Sequence, residues 1–171
     1  MSGLINSAGS KSGVIGFVNN VCVPAFLAYP SSDKSVAAYT TEKVANDTEL
    51  LDSHGCYNHE SSTVTLNGIS TPSYSFAPHI AGWYFIVAIT LFDNFSGVYI
   101  SSKVLKNDSV IASADSDPGS GYSVTATASI IAYADGVDDF FHQECKNWHS
   151  GSETMRTSGG TECRFQAFRI S

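Results

Sequence analysis

One stretch limits what this chain can become more than any other: residues 82–92, "GWYFIVAITLF". It is continuous, aromatic and β-branched, with a glycine at its start and Asp93-Asn94 after it. Branching at Cβ and flat rings fit a pleated strand better than a helix turn. Even extended back to Ile80 the run is about 13 residues, too short to cross a bilayer as a helix. An unbroken apolar run bounded by turn residues predicts a strand buried on both faces. Such a strand cannot lie at the surface of a single sheet, so the fold must cover it twice.

The rest of the chain supplies more strands. Alternation or β-rich texture marks 21–29, with Pro24 suggesting an edge or bulge, then more weakly 35–44, and 63–66, while 46–52 and 56–62 are polar with interspersed apolar residues. Residues 97–117 read as a hairpin turning at Asn107-Asp108. Residues 122–136 alternate and stop at Asp135-Gly136, 138–145 is short and aromatic, 146–160 is a long polar loop, and 161–171 is a last strand. Hydrophobic residues make up 43% and charged residues only 15%, a mix that suits short strands joined by turns. With roughly eight to ten strands, no helix and no βαβ alternation, the expectation is an all-β antiparallel sandwich or jelly roll. At 171 residues it forms one domain large enough to fold without metal or disulfide. Residues 1–20, where Gly3, Gly9, Gly13 and Gly16 punctuate Ser and Asn, read as a flexible attachment arm ahead of a domain spanning 21–171.

Charge narrows the partners. The net charge is −7 and the nine basic residues are scattered, which argues against nucleic-acid binding. The N-terminus carries no apolar run of signal-peptide length, so Sec-type export and membrane insertion are not expected. That weakens the case for pairing Cys22, Cys56, Cys145 and Cys163. Four cysteines allow three complete pairings, and sequence does not choose among them; buried free thiols are the expectation.

Several clusters carry potential chemistry. "HQECKNWH" holds His142, Cys145 and His149, and "HGCYNH" holds His54, Cys56 and His59. Either could ligate zinc, or both could contribute to one site. Residues three apart on a strand face opposite ways, however, so His142 and Cys145 converge only if the chain turns between them. The expectation there is a core cysteine beside loop histidines, with no bound metal. Asp115, Asp117, Asp135, Asp138 and Asp139 sit in predicted turns, where carboxylates either hold calcium or cap the backbone. Calcium therefore stays a possible cofactor. No nucleophile elbow, zincin or phosphate-loop motif occurs, and Asp138-Asp139 point apart on a strand, so catalysis is not expected. Tyr57, Tyr122 and Trp148, with His149, lie in or beside predicted loops and are the candidate ligand contacts. Trp148 reads equally as a contact or as a lid folded back on the domain.

From residue 76 onward the sequence resembles the globular head of complement component 1q, within the tumour-necrosis-factor-like jelly rolls. That family places Phe, then Gly six residues on, then Tyr two later, as Phe76, Gly82 and Tyr84 do here. Asn107-Asp108 stands where the family has Asn-Gly, and Asp135-Gly136-Val137-Asp138 is similar to its Gly-Asp turn. Phe165, Ala167 and Phe168 match its terminal Phe-x-Gly-Phe, with alanine for glycine. The resemblance spans roughly 21–171 and implies a ten-stranded jelly roll that forms a compact homotrimer and binds rather than catalyses. Trp83, Tyr84 and Phe85 are consecutive, so they reach both faces of their strand; a subunit neighbour, a second sheet or a loop must cover the outer one. The arm at 1–20 resembles attachment segments of tailed-phage virion proteins. That places the chain in a virion assembled in the host cytoplasm, as a fibre or tail receptor-binding part or a head decoration. Residues 1–20 would then dock other virion proteins and the domain would bind a host glycan or protein. The alternative is an extracellular recognition head cut from a longer precursor.

Overall fold

The structure is a computed structural model. It describes residues 24–95, 99–117, 119 and 122–171, the side chains of Asn94, Phe95, Tyr122 and Ser158 excepted. The predicted arm at 1–20 and Cys22 lie outside the described residues.

Fifteen strands are described. In chain order they are β1 (Ala25–Tyr29), β2 (Lys34–Val36), β3 (Thr41–Lys43), β4 (Thr48–Asp52), β5 (Tyr57–Asn58), β6 (Val64–Leu66), β7 (Ile69–Thr71) and β8 (Ser75–Phe76). Then follow β9 (Gly82–Phe95), β10 (Ile100–Lys106), β11 (Ser109–Ser116), β12 (Tyr122–Ala134), β13 (Phe141–Asn147), β14 (Glu153–Met155) and β15 (Arg164–Arg169). One sheet runs β2-β14-β9-β15-β1-β4 with β12 on the other edge of β9. The second runs β11-β10-β13-β8-β5 with β3 also against β13, and β6-β7 form a separate hairpin. The strand pairings among the described residues are antiparallel throughout. The two sheets face each other as a jelly-roll sandwich, the fold class that the strand pattern implied. Among the described residues no helix is long and apolar enough to cross a membrane.

Alternation along β9 builds the core. Tyr84, Ile86, Ala88, Thr90 and Phe92 point inward and are buried. They meet Phe165 and Ala167 from β15 and the small residues Ala126, Ala128, Ala132 and Ala134 from β12. The aromatic centre is Phe26, stacked on Tyr57 at 4.7 Å and on Phe76 at 4.5 Å, with Phe165 edge-on at 5.0 Å. Tyr84 meets Phe76 edge-on at 5.6 Å and donates its hydroxyl to the Ile80 carbonyl at 2.6 Å. A second apolar cluster, including Val36, Phe92, Ile100, Cys145 and Met155, fills the other end.

Between the clusters lies a polar bridge. Gln143 is fully buried and donates to the Ile89 carbonyl and to Thr90 Oγ1, each at 2.9 Å, and accepts from Asn46 Nδ2 at 3.1 Å. Thr90 in turn donates to Ser102, which donates to the Ala88 carbonyl. Buried polar atoms must be paired, and this chain of bonds ties β9 to β10 and β13 across the sandwich.

Several expectations are corrected. Strand β9 is fully enclosed on its inner face only; on the outer face Val87 is buried, but Phe85 is half-buried and Trp83 is 48% exposed. Residues 35–44 are not one strand: β2 joins the first sheet and β3 the second, with Tyr39 at φ 54° in the bend between them. The polar loop 146–160 contains β14, which pairs with β9 and β2. Strand β13 runs on to Asn147, two residues past the predicted end. The hairpin turn at Asn107-Asp108 has positive φ at both residues, the geometry that matches strand twist in a two-residue loop.

Gly82 is demanded by a close approach: a Cβ there would collide with the Ser171 carbonyl and stand 2.6 Å from Arg169 Nε. Gly82→Ala is expected to destabilise the end of β15, and Phe76→Ala to cost about 3–5 kcal/mol. Urea unfolding of both variants checks this; wild-type stability for Phe76→Ala contradicts the core placement.

Candidate functional surfaces and side-chain clusters

The two sheets present opposite outer faces. On the second sheet, alternation turns Ser101, Lys103 and Leu105 outward from β10, and His142, Glu144 and Lys146 outward from β13. Lys103 lies directly across from Glu144. Trp148 packs down on this face. Its indole N–H donates to Ser101 Oγ at 2.8 Å, the Lys146 ammonium sits 3.1 Å above its ring, and the Tyr99 ring is 5.1 Å away. Half-buried and held by three neighbours, Trp148 is a cover over β10 rather than a freely presented contact.

The first sheet differs. Its outward residues near the start of β9 are Trp83 and Phe85. Across from them stand Tyr133 and Ile131 on β12, and Phe168 on β15, with Ile170 alongside Trp83. Ile131 is 54% exposed, Tyr133 46% and Phe168 39%. Trp83 meets Tyr133 edge-on at 5.6 Å, and Phe85 meets Phe168 likewise at 5.6 Å. A groove of about 300 Å³ runs on from Phe168 past Ala25 and Leu27 to Leu51. The face is therefore a contiguous apolar surface, larger and more aromatic than isolated surface hydrophobics.

The residues singled out from sequence separate. Phe76, Tyr84 and Phe165 are core; Trp83, Phe85 and Phe168 form the apolar face. Tyr57 is not a surface contact: it is 3% exposed, stacked on Phe26, and donates its hydroxyl to the Asn46 carbonyl at 2.8 Å. Its predicted loop is short strand β5, which turns the ring into the core. Tyr122 opens β12 opposite Phe95, and its side chain lies outside those described.

His142 and Cys145 lie on opposite faces of β13, as alternation requires. Cys145 is in the second apolar cluster. His149 Nδ1 lies 2.6 Å from Glu153 Oε1 in the following loop, so these three do not form one site. Cys56, Cys145 and Cys163 are free and buried. Burial pushes Cys56 up to about 11 and Cys145 to about 12, and raises Cys163 further, so none is an activated nucleophile.

Among the described residues, Asp135, Asp138 and Asp139 are the one trio of His, Cys, Asp or Glu whose ligand atoms gather within 4.8 Å. Asp135 Oδ1 accepts the N–H groups of Val137, Asp138 and Asp139, and backbone bonding, Val137 first, holds its carboxyl below the usual range. Asp139 accepts from Asn107 and the Asp135 N–H and pairs with Lys106 at 2.8 Å. The cluster thus caps the β12–β13 turn and ties it to the hairpin. Asp115 is on β11, away from this trio in the chain, and Asp117 accepts the Gly119 N–H.

No protein-family model and no curated protein sequence matches the chain. Solved structures do match. The globular domain of zebrafish complement 1qA aligns with TM-score 0.58 at 12% identity, covering 86% of this chain and 98% of that one. Murine APRIL aligns at 0.60 with 7% identity, covering 85% and 97%. Eiger TNF from S. frugiperda aligns at 0.57 with 9% identity, covering 86% and 92%. The fold is therefore the jelly roll seen in complement 1q heads and tumour-necrosis-factor-like proteins, as the resemblance implied.

His142 yields a pH prediction. It is 2% exposed, its Nδ1 has no hydrogen-bond partner, and the Asp108 and Glu144 carboxylates stand 3.8 and 3.7 Å from its ring nitrogens. Burial, with the Lys43 cation adding and Asp108 opposing, lowers it from an ordinary 6.5 to about 4. Between those values the unfolded chain binds a proton that the folded chain does not, so stability falls as pH falls through that window. Relative to His142→Gln, the wild type is expected to lose up to ~1.4 kcal/mol per pH unit there. Parallel urea curves for the two proteins at pH 7 and pH 4.5 contradict it.

Proposed function

We propose that this chain is a non-enzymatic binding module that works as a homotrimer, its subunits packed through the outer face of the first sheet. The observation that carries this reading is the aromatic surface built by Trp83, Phe85, Ile131, Tyr133 and Phe168. A monomer leaving it in water would expose several hundred Å² of contiguous apolar area. A second copy of the same chain supplies complementary apolar cover without a separate partner. The complement 1q and tumour-necrosis-factor fold supports three-fold closure by analogy. The finer reading is a virion component, a fibre or tail receptor-binding part or a head decoration. Its support is the Gly/Ser-rich composition of residues 1–20 and the buried free thiols, which suit assembly in a reducing compartment.

Light scattering of the purified protein is expected to give three times the 18.2-kDa chain mass at micromolar concentration. Phe168→Glu with Trp83→Ser is expected to give a folded monomer by circular dichroism. A wild-type monomer, or a variant that stays trimeric, overturns the assignment of this face.

A further inference from the structure

At the edge of the aromatic core the Cys56 thiol meets one imidazole, and a second imidazole stands near by. The Asp52 carboxylate accepts the backbone N–H groups of His54, Cys56 and Tyr57 at 3.2, 3.0 and 2.8 Å. From the other side Asn67 Nδ2, in the β6–β7 turn, donates to the carbonyls of His54 and Gly55 at 3.0 and 2.9 Å. Clamped from both sides, the loop aims Cys56 Sγ at His79 Nδ1, 3.1 Å away. His79 comes from the connection between β8 and β9. The His54 ring centroid lies 5.9 Å from that of His79. Cys56 is fully buried, His79 is half-buried and His54 is exposed, so the donors line a path from the interior to solvent.

We propose that Cys56, His79 and His54 bind a borderline-soft divalent cation of the zinc type. Tetrahedral zinc holds sulfur at about 2.3 Å and imidazole nitrogen at about 2.0–2.1 Å, which separates the two donor atoms by roughly 3.5 Å. The Cys56–His79 pair is within a few tenths of an ångström of that edge already. The exposed His54 is the third donor and closes on the ion by side-chain rotation; its Nδ1 is engaged by Ser53 Oγ at 2.9 Å, which leaves Nε2 to turn inward. Water fills the fourth position. As the metal–sulfur bond forms, the Sγ–H bond breaks and its proton passes to solvent, with no change of oxidation state. His59, which the sequence pattern groups with these residues, is held instead by Glu49 at 2.7 Å and takes no part.

Cobalt(II) titration of the full chain tests this. One equivalent per chain is expected to give a sulfur-to-cobalt charge-transfer band in the near ultraviolet, bleached by added zinc. Cys56→Ser is expected to abolish the band, His79→Gln and His54→Ala to weaken binding at least about tenfold, and His59→Ala to leave it unchanged. Should Cys56→Ser fail to fold, His79→Gln keeps the test open: zinc is expected to raise the unfolding temperature of wild type but not of that variant. No cobalt binding at millimolar metal, a band surviving Cys56→Ser, or full affinity in a folded His79→Gln overturns the site.

Discussion

The structure depends on one strand that is apolar on both sides. In β9, alternation sends Tyr84, Ile86, Ala88 and Phe92 into the sandwich and Trp83, Phe85 and Val87 out of it. The inward set needs a second sheet opposite, which β10, β13 and β8 provide. The narrow alanine face of β12 lets that sheet approach closely, and Phe26, Phe76 and Phe165 fill the remaining depth. Of the outward set, neighbouring side chains bury Val87 but leave Phe85 half-buried and Trp83 48% exposed. The same period of two that builds the core therefore leaves a residue-by-residue copy of it facing outward.

The core does not close by apolar contact alone. Gln143 sits fully buried between the two hydrophobic clusters and spends its amide on β9 and Asn46. A register slip of one residue in β13 would expel Gln143 and bring His142 or Glu144 inward. With its bonds made, the amide favours a single register over its neighbours, because any other leaves Thr90 and the Ile89 carbonyl without their partner. The stretch that looked richest in ligands thus does structural work through a buried glutamine rather than through its histidines or cysteine.

What could be read from sequence follows from how local each signal is. The run at 82–92, the hairpin at Asn107-Asp108 and the final strand carry their own periodicity and turn residues, so the sandwich and its longest elements were legible. Strands β5, β8 and β14 were not: β8 and β14 form on the long strands β13 and β9, and β5 on β8 in turn, pairings that a short window cannot show. That is why Tyr57 looked like a loop aromatic and turned out to be core. The alternation argument correctly parted His142 from Cys145, since it needs only adjacent positions. The partner of Cys56 was hidden for the opposite reason. His79 lies 23 residues away, on a connection whose position only the assembled sheets determine, while the nearby His59 is drawn off by Glu49.

The outer faces of the two sheets then separate folding from association. On the second sheet the chain covers itself: Lys103 opposes Glu144 across the strands, Lys43 donates to Ser75, and Trp148 lies flat over Ser101 under the Lys146 ammonium. Charges interleaved at strand spacing resist edge and face pairing with another molecule, because burying them would strip their water. On the first sheet the rings pair with one another, Trp83 with Tyr133 and Phe85 with Phe168. Those edge-on pairs hold the rings upright and pre-ordered, so a subunit docking there loses little side-chain entropy. The association proposed above therefore uses the ring-bearing face, whose apolar area is already ordered, rather than the face that its own ions cover.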